Sequence, residues 1–581
     1  AAVSAEAAPL DRAPLDPGLV REVTEWIRED PDAATREELT ALLAARDAAT
    51  LHERFDHPLT FGTAGLRGVV GGGPGAMNRL VVRRTAAGVA DWVAHKGAGA
   101  PAAGVVVGRD ARHGSAAFAR DTVEVLRAAG VAALVLDHPL PTPLTAFAVR
   151  HLGAAAGVVV TASHNPARDN GYKVYDQDGS QIVPPADAAI EAASRHLAAH
   201  PGAAAAVPGE LTVLDEATLV EAYVAAIGAD LETSGDPTRA LRVAYTPLHG
   251  VGGAVVPGLL ESAGVDVEVV AAQAAPDPDF PTVAFPNPEE PGSMDLVLAL
   301  GTSIGADLVV ANDPDADRCC VAVPVAGGWR LLSGDELGAI LGEDRCARTS
   351  GSDRLVATSI VSSSLLSRIA ARHDVAFAET LTGFKWLGRV GAAAGRRLVF
   401  AYEEALGYAV SGAVADKDGM SAALAVCDLA ARCAAGSRTL LDELDALYAT
   451  HGVHLTRQLS FRREGPDGAA EIAATVAALV TDPPTTLGGL GVTSVEDLSV
   501  GQGGLPPTEG VRLRAADAVR VVVRPSGTEP KLKAYVEVVD APAGAQGLAA
   551  SRAVMAALLE RCASDVAARC APVSSSPSSR P

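Results

Sequence analysis

Four times in this 581-residue chain a short β-branched or aliphatic run breaks directly into a polar, turn-forming motif. Val158-Val159-Val160 runs into TASHNP, Leu308-Val309-Val310 into ANDPDADR, Leu398-Val399-Phe400 into AYEEALGY, and Val519 to Val523 into RPSGTEPK. Ligands of open α/β sheets bind in the crevice outside the carboxyl ends of the strands. The four motifs bring a hydroxyl, a carboxylate triplet, an acidic pair and an Arg/Ser/Thr cluster, which are complementary enough to form one site.

A soft prior of roughly 150 residues per domain allows about four domains in a chain this long, one for each junction. From Val105 onward strand, turn and helix patterns alternate, the βαβ signature of an α/β fold with a mostly parallel sheet. Helical periodicity over 17–55 (Val20, Val23, Trp26, Ile27, Leu39, Leu42, Leu43) precedes it. The reading divides the chain into a helical extension (1–56), α/β domains at 57–208, 209–326 and 327–455, a less regular domain at 456–566, and a disordered tail (567–581). HPGAAAAVPGE marks the first boundary, and Gly327-Gly328 is read as opening the third unit. The Pro-rich stretch 274–292 is read as a long ordered loop. No repeat is visible by residue identity, so kinship among the first three units would be structural only.

A formal net charge of -22 excludes generic nucleic-acid binding, because counterion release needs a basic surface. Anionic ligands would be captured by local Arg, Lys and backbone N–H groups. Seven scattered cysteines without CxxC spacing give neither a disulfide framework nor a zinc site. With no apolar run approaching ~20 residues and no signal-peptide pattern, the expectation is a cytoplasmic protein without a membrane partner.

Ser163 lies where a buried strand must leave its ladder at Asn165-Pro166, which presents its hydroxyl outward. Taken alone, the tripeptide is first an ordinary Ser/Asn turn; the longer SHNPxxxNGxK string, closed by Lys173, is more specific. Asp313, Asp315 and Asp317 alternate, so an extended segment would point all three carboxylates to one side, toward a hard divalent cation. An EF-hand is excluded, since its Gly and Glu positions hold Arg318 and Pro324; a solvated acidic turn stays open. Glu403 and Glu404 read first as an acidic pair at a helix N-terminus, a reading compatible with sugar binding. Arg524, Ser526, Gly527, Thr528 and Lys531 read as a phosphate grip, the bland alternative being a Pro-Ser-Gly turn. GVGG at 250–253 lacks the last glycine of GxGxxG. His164 and His249 read as turn or packing residues before general bases.

In combination these motifs resemble the α-D-phosphohexomutase superfamily. TFGTAGLRG, TASHNPARDNGYKVY, NDPDADR, TGFKW, EEALGY and RPSGTEPK occur in the family order between Phe61 and Glu537. The resemblance implies three related α/β domains with mixed sheets and a smaller α+β C-terminal domain around a central cleft. It implies a phosphoserine at Ser163, Mg²⁺ bound by Ser163, Asp313, Asp315 and Asp317, and Arg67 and Lys173 as electrostatic and proton-transfer groups. Arg318, Lys385 and Glu403 would serve metal loop and sugar, and Arg524, Ser526, Gly527 and Thr528 the phosphate that is not reacting. A sugar 1,6-bisphosphate would be intermediate and activator, sugar phosphates the partners, and the protein a monomer or homodimer. Ala405 replaces a serine common in the family, a feature of the subgroup of larger phosphoglucomutases and phosphopentomutases. Glucose 1-phosphate/glucose 6-phosphate exchange is the first expectation, with mannose or pentose phosphates as alternatives. A metal-dependent phosphatase and a noncatalytic sugar-phosphate sensor are the rivals from other classes.

Overall fold

The computed structural model describes residues 14–62, 65–199, 207–232, 241–463, 468–501, 504–527 and 531–571. The chain opens with three helices, Pro17–Glu29, Ala33–Ala44 and Ala48–Phe55. Each starts at an aspartate (Asp16, Asp32, Asp47) whose carboxylate accepts a first-turn N–H, relieving donors that a helix cannot satisfy itself. Leu19, Val23, Trp26, Leu39, Leu51 and Phe55 fold them into a small core that includes Leu80 of the next unit.

The three α/β units share a topology that residue identity does not reveal. In each, three parallel strands are followed by a fourth, antiparallel one, and the site motif occupies the turn between the third and fourth. In the first unit Ala133–Val135, Val105–Arg109 and Ala156–Val160 are parallel, and Asp169–Asp176 returns antiparallel. In the second these places are taken by Asp266–Val269, Arg242–Thr246 and Leu308–Ala311, then Cys320–Val325. In the third they are taken by Ala376–Thr380, Arg354–Ser359 and Arg397–Glu403, then Gly407–Ala409. The strand reversal fixes where each motif emerges, so one structural rule delivers three of the four loops.

The fourth unit is different. Its six strands, in the order His454–Arg462, Lys531–Val539, Val519–Pro525, Val511–Ala515, Leu490–Asp497 and Thr486–Leu487, are all antiparallel. The long helix Gly544–Cys570 packs on this sheet through Leu548, Met555, Leu558, Leu559 and Val566.

Four boundaries differ from the sequence reading. Leu211–Val213, expected after the first boundary, pairs in parallel with Ala133–Val135 at the edge of the first sheet; its three side chains are exposed, so no alternation betrays it. Gly327 and Gly328 do not open the third unit. With φ of 91° and 154° they turn a hairpin that pairs Gly328–Leu331 with Cys320–Val325, glycine being the residue that takes positive φ without strain. The last boundary, expected between 455 and 456, falls inside the strand His454–Arg462. Residues 567–570, assigned to a disordered tail, finish the last helix, where Cys570 is buried; 572–581 lie outside the described residues.

At Gly334, the first residue of helix Gly334–Arg348, an added Cβ would lie 1.8 Å from the carbonyl oxygen of Glu404. Backbone meets backbone there, and no rotamer relieves the clash. Gly334→Ala is expected to cost about 1–3 kcal/mol of stability, the usual range for overpacking, and to shift the 403–406 turn. Chemical denaturation checks the first effect, and a crystal structure of the variant the second.

Candidate active site

Ser163 follows the strand Ala156–Val160 at φ 51°, a left-handed conformation that costs an L-residue roughly 1–2 kcal/mol. Its surroundings hold it there. The Ser163 N–H donates to Thr161 Oγ1 at 2.8 Å, and the buried Arg112 guanidinium donates to the carbonyls of Ser163 (2.6 Å), Pro166 (2.7 Å) and Asn165. The hydroxyl therefore points out of the first unit and donates to Asp313 Oδ2 at 2.7 Å. His164 Nδ1 lies 3.1 Å from Ser163 Oγ. Burial, aided by Arg318 and Arg67, holds this imidazole well below its ordinary pKa.

The three aspartates converge, but not by extended alternation. Residues 313–317 form a tight turn, with Ala316 N–H donating to the Asp313 carbonyl at 2.9 Å and Ala316 at φ 56°. Pro314 and the left-handed Ala316 wrap the chain, and a ligand oxygen from each carboxylate lies within 4.8 Å of the others. Each carboxylate is divided between protein and site. Asp315 Oδ2 accepts from Lys173 Nζ (2.8 Å) and Thr142 Oγ1 (2.8 Å), and Asp317 Oδ2 from Lys173 Nζ at 2.7 Å. Among the described residues the buried Oδ1 atoms of Asp315 and Asp317 have no partner. Orphaned buried acceptors are expensive, and hard oxygen donors around one point suit a divalent cation; the residues fit Mg²⁺.

Charges nearby confirm the crowding. Burial first, then Asp315 and Asp317, push Asp313 up to about 8. For Asp315 burial acts in the same direction, but Lys173 overrides it and holds the carboxyl well below its usual range. Burial opposes the charge on Lys173, yet Asp315 and Asp317 outweigh it and keep the ammonium above its ordinary pKa. Lys173 is thus held as a cation between Asp315 and Asp317.

Arg67, on the edge strand Leu66–Val69, donates to Asn165 Oδ1 at 2.9 Å, while its buried Nε has no partner among the described residues. Arg318 gives its backbone N–H to Asp313 Oδ1 at 3.0 Å and holds its guanidinium 3.6 Å from Glu289. Glu403 ends the strand Arg397–Glu403 and Glu404 opens the turn to the antiparallel Gly407–Ala409, which removes the helix-N-terminus reading. Glu403 Oε1 accepts from the Gly383 N–H at 2.6 Å. Glu404 accepts from the Ser359 and Ser362 hydroxyls, both at 3.3 Å, and burial, with Glu403 next, lifts it to about 7. A cavity of about 340 Å³ opens beside it, bordered by Glu289, Asp335 and Tyr535.

Arg524 ends the strand Val519–Pro525 opposite Lys533, and the Ser526 N–H donates to the Lys531 carbonyl at 2.8 Å. Thr528 lies outside the described residues. The Gly527 carbonyl comes so near Gly62 that a Cβ there would lie 3.2 Å from it, and Lys385 Nζ donates to the Gly62 carbonyl at 3.2 Å. The first, third and fourth units therefore meet around one loop. Lys385 faces that seam.

Several contributors escaped the sequence reading. Arg112 belongs to a fifth junction, Val105-Val106-Val107 into GRDAR, of the same kind as the other four. Thr142 follows another strand exit, and Lys417 lies in the polar run DKDG. His164, read as a turn or packing residue, touches the Ser163 hydroxyl.

Four successive family models match the chain: phosphoglucomutase/phosphomannomutase α/β/α domains I (58–200), II (221–327) and III (333–450), and the C-terminal domain (462–553). The chain belongs to the phosphoglucomutase/phosphomannomutase family. It is accordingly an isomerase, an intramolecular phosphotransferase. A phosphopentomutase of Homo sapiens is 33% identical over 91% of this chain and 92% of its own length. A phosphoglucomutase of Staphylococcus aureus is 33% identical over 83% of this chain and 90% of its own. The crystal structure of a phosphoglucomutase/phosphomannomutase family protein from Burkholderia thailandensis superposes with a TM-score of 0.66 at 20% identity, covering 88% of this chain and 97% of that one, which shows the shared four-domain fold. Among the described residues no single helix is long and apolar enough to cross a membrane.

Proposed function

We propose that this mutase moves a phosphoryl group between O1 and the terminal hydroxyl of an aldose phosphate, with Ser163 as the covalent carrier. The observation that carries the reading is Ser163 Oγ, 2.7 Å from Asp313 and beside two carboxylates whose inner oxygens have no partner among the described residues. Asp313, Asp315, Asp317 and the seryl oxygen would hold Mg²⁺, which when bound offsets negative charge on the transferring group. Phosphoryl transfer is mostly positioning and charge stabilisation, and Arg67 and Lys173 supply fixed positive charge beside the carrier.

In the forward half-reaction the Ser163 Oγ–P bond breaks as an O–P bond forms at the free sugar hydroxyl, and the proton that this hydroxyl gives up ends on Ser163 Oγ. The resulting bisphosphate turns end over end, and its other phosphoryl returns to Ser163. Arg524, Ser526, Gly527 and Thr528 hold whichever phosphate is not reacting, and Glu403 holds ring hydroxyls. Because Gly527 and Lys385 both close against Gly62, entry and turning require that seam to loosen. A sugar bisphosphate charges the serine and so activates.

For the sugar, the sequence puts glucose phosphates first; two observations favour a pentose. The phosphopentomutase match extends over 91% of the chain, against 83% for the phosphoglucomutase. Ala405 also offers a methyl group where a serine would hydrogen-bond the sugar. Discrimination against a smaller substrate comes from site groups left unpaired, and Ala405 leaves none.

The test is kcat/KM for ribose, glucose and mannose 1-phosphates, with about a tenfold preference for ribose expected. A tenfold preference for either hexose overturns the pentose assignment and leaves the mutase reading standing. Steady release of inorganic phosphate without stimulation by sugar bisphosphate would overturn the mutase reading itself.

A further inference from the structure

The segment Asp416-Lys417-Asp418 of the third unit joins all three α/β units. Asp416 Oδ2 accepts from Tyr175 (3.1 Å) and Gln181 (2.8 Å) of the first unit. Asp418, which caps helix Gly419–Ala435, accepts from Tyr223 of the second at 2.7 Å. Between them Lys417, almost fully buried, sends its Nζ across the domain boundary to Asp317 Oδ2 at 3.0 Å. That is the oxygen Lys173 already occupies, so two ammonium groups share the outer oxygen of one carboxylate while its inner oxygen has no partner among the described residues.

The lysine stem is fixed as well. A Cβ at Gly407, just past the sugar-binding turn, would lie 2.9 Å from Lys417 Cδ, so the glycine leaves the channel through which the side chain reaches Asp317. Glu403 acts on Lys417 electrostatically from the same turn. Burial opposes the Lys417 charge, but Asp317, Asp416 and Glu403 outweigh it and hold the ammonium above its ordinary range.

We propose that Lys417 is a positioning residue, a resident counter-cation supplied by the sugar-binding unit that aims the inner oxygen of Asp317 at the divalent cation and lowers the affinity for that cation. Both effects follow from one placement. A positive charge on the outer oxygen fixes the carboxylate plane, and the same charge repels a second cation on the inner oxygen. The site is thus kept assembled before the metal arrives, and its geometry is tied to the turn that carries Glu403. The inference rests on the reading that the aspartate triplet binds a divalent cation.

Manganese(II) titrated calorimetrically into the full-length protein, previously stripped of metal, tests it. Lys417→Met keeps length and removes charge. It is expected to bind Mn²⁺ about tenfold tighter, because a repelling charge is gone, and at saturating metal to lose about 10–100-fold in kcat, with KM for sugar phosphate within about twofold. A lysine that only supported the fold would weaken metal binding when removed, so the opposed signs are diagnostic. Unchanged or weaker Mn²⁺ affinity, or unchanged kcat, overturns the proposal. Lys417→Gln, better tolerated in a buried polar setting, carries the same expectations should the methionine variant not fold; failure of both to fold overturns the proposal too. Parent protein that binds no Mn²⁺ would instead sink the metal reading, and loss of binding in Asp315→Ala confirms it separately.

Discussion

Ser163→Ala is expected to lower turnover by at least about four orders of magnitude, the scale on which removing a covalent nucleophile acts, while leaving the protein folded. The two halves of that expectation have different origins. The Ser163 hydroxyl makes one strong contact, to Asp313, and losing it costs about 1–3 kcal/mol for the buried acceptor left behind. The backbone turn survives, because Thr161 and Arg112 hold it through the main chain of residue 163 rather than through the side chain. Arg67, Lys173 and the aspartates also keep their places, so electrostatic stabilisation remains with nothing to receive the phosphoryl group. Intact mass after incubation with glucose 1,6-bisphosphate gives a readout independent of rate. The parent should gain one phosphoryl group mapped to Ser163, and the alanine variant none. Turnover within tenfold of the parent would remove Ser163 from the mechanism, and a parent phosphorylated elsewhere would relocate the carrier.

The parts of this site legible in the sequence are those built from local chain. TASHNP, NDPDADR and RPSGTEPK each combine a strand, a turn and functional groups within a dozen residues, and the first two lie in the turns between the third and fourth strands of their units. Partners from distant segments were not legible. Lys417 reaches Asp317 from another domain across a hundred residues of chain, and nothing in DKDG says which carboxylate it faces. Arg112 was visible only as one more strand exit. The recurrent topology was hidden for a related reason, since strand order depends on which runs pair, not on which residues they contain. Leu211–Val213 and the Gly327-Gly328 hairpin were misplaced because edge strands carry weak patterns. For the aspartate triplet the destination was right and the route wrong: the carboxylates converge because Pro314 and Ala316 turn the chain, not because an extended strand alternates.

Breaking the seam between the third and fourth units should have the largest effect on stability. Glu537 is buried on the strand Lys531–Val539 and pairs with the equally buried Arg520 at 2.8 Å. Its other oxygen accepts from the Ser363 hydroxyl (2.8 Å), the Ser364 N–H (2.7 Å) and the Ser364 hydroxyl (3.0 Å), all from the third unit. Arg520 and Arg512 both reach Glu379 of the third unit, at 3.2 Å and 2.6 Å. Ile360, Val361, Leu381, Leu498, Val522 and Tyr535 form the apolar part of the seam. Glu537→Ala takes from the buried Arg520 guanidinium one of its two carboxylates and strands three donors, and removing one partner of a buried pair costs up to about 3–5 kcal/mol. A protein of four domains need not unfold in one step, so calorimetry should show the fourth unit melting in a separate, earlier transition. Burial disfavours the Glu537 charge, but Arg520, followed by His454 and Ser364, overrides it and holds the carboxyl far below its ordinary value of 4.5. A depressed folded pKa means the carboxylate's contribution is complete above 4.5 and lost as pH falls toward the folded value. The stability gap between parent and Glu537→Ala should therefore be constant at neutral pH and narrow only below about pH 4.5. A single transition superimposing on the parent's would show that the seam is held by its apolar contacts instead. Function enters through Ser362, which donates to Glu404, next to the proposed sugar ligand Glu403, while its carbonyl accepts from Arg520. Loosening Glu537 should therefore raise KM as well, because the strand bearing Arg524 and the turn bearing Glu403 are braced by one three-serine segment.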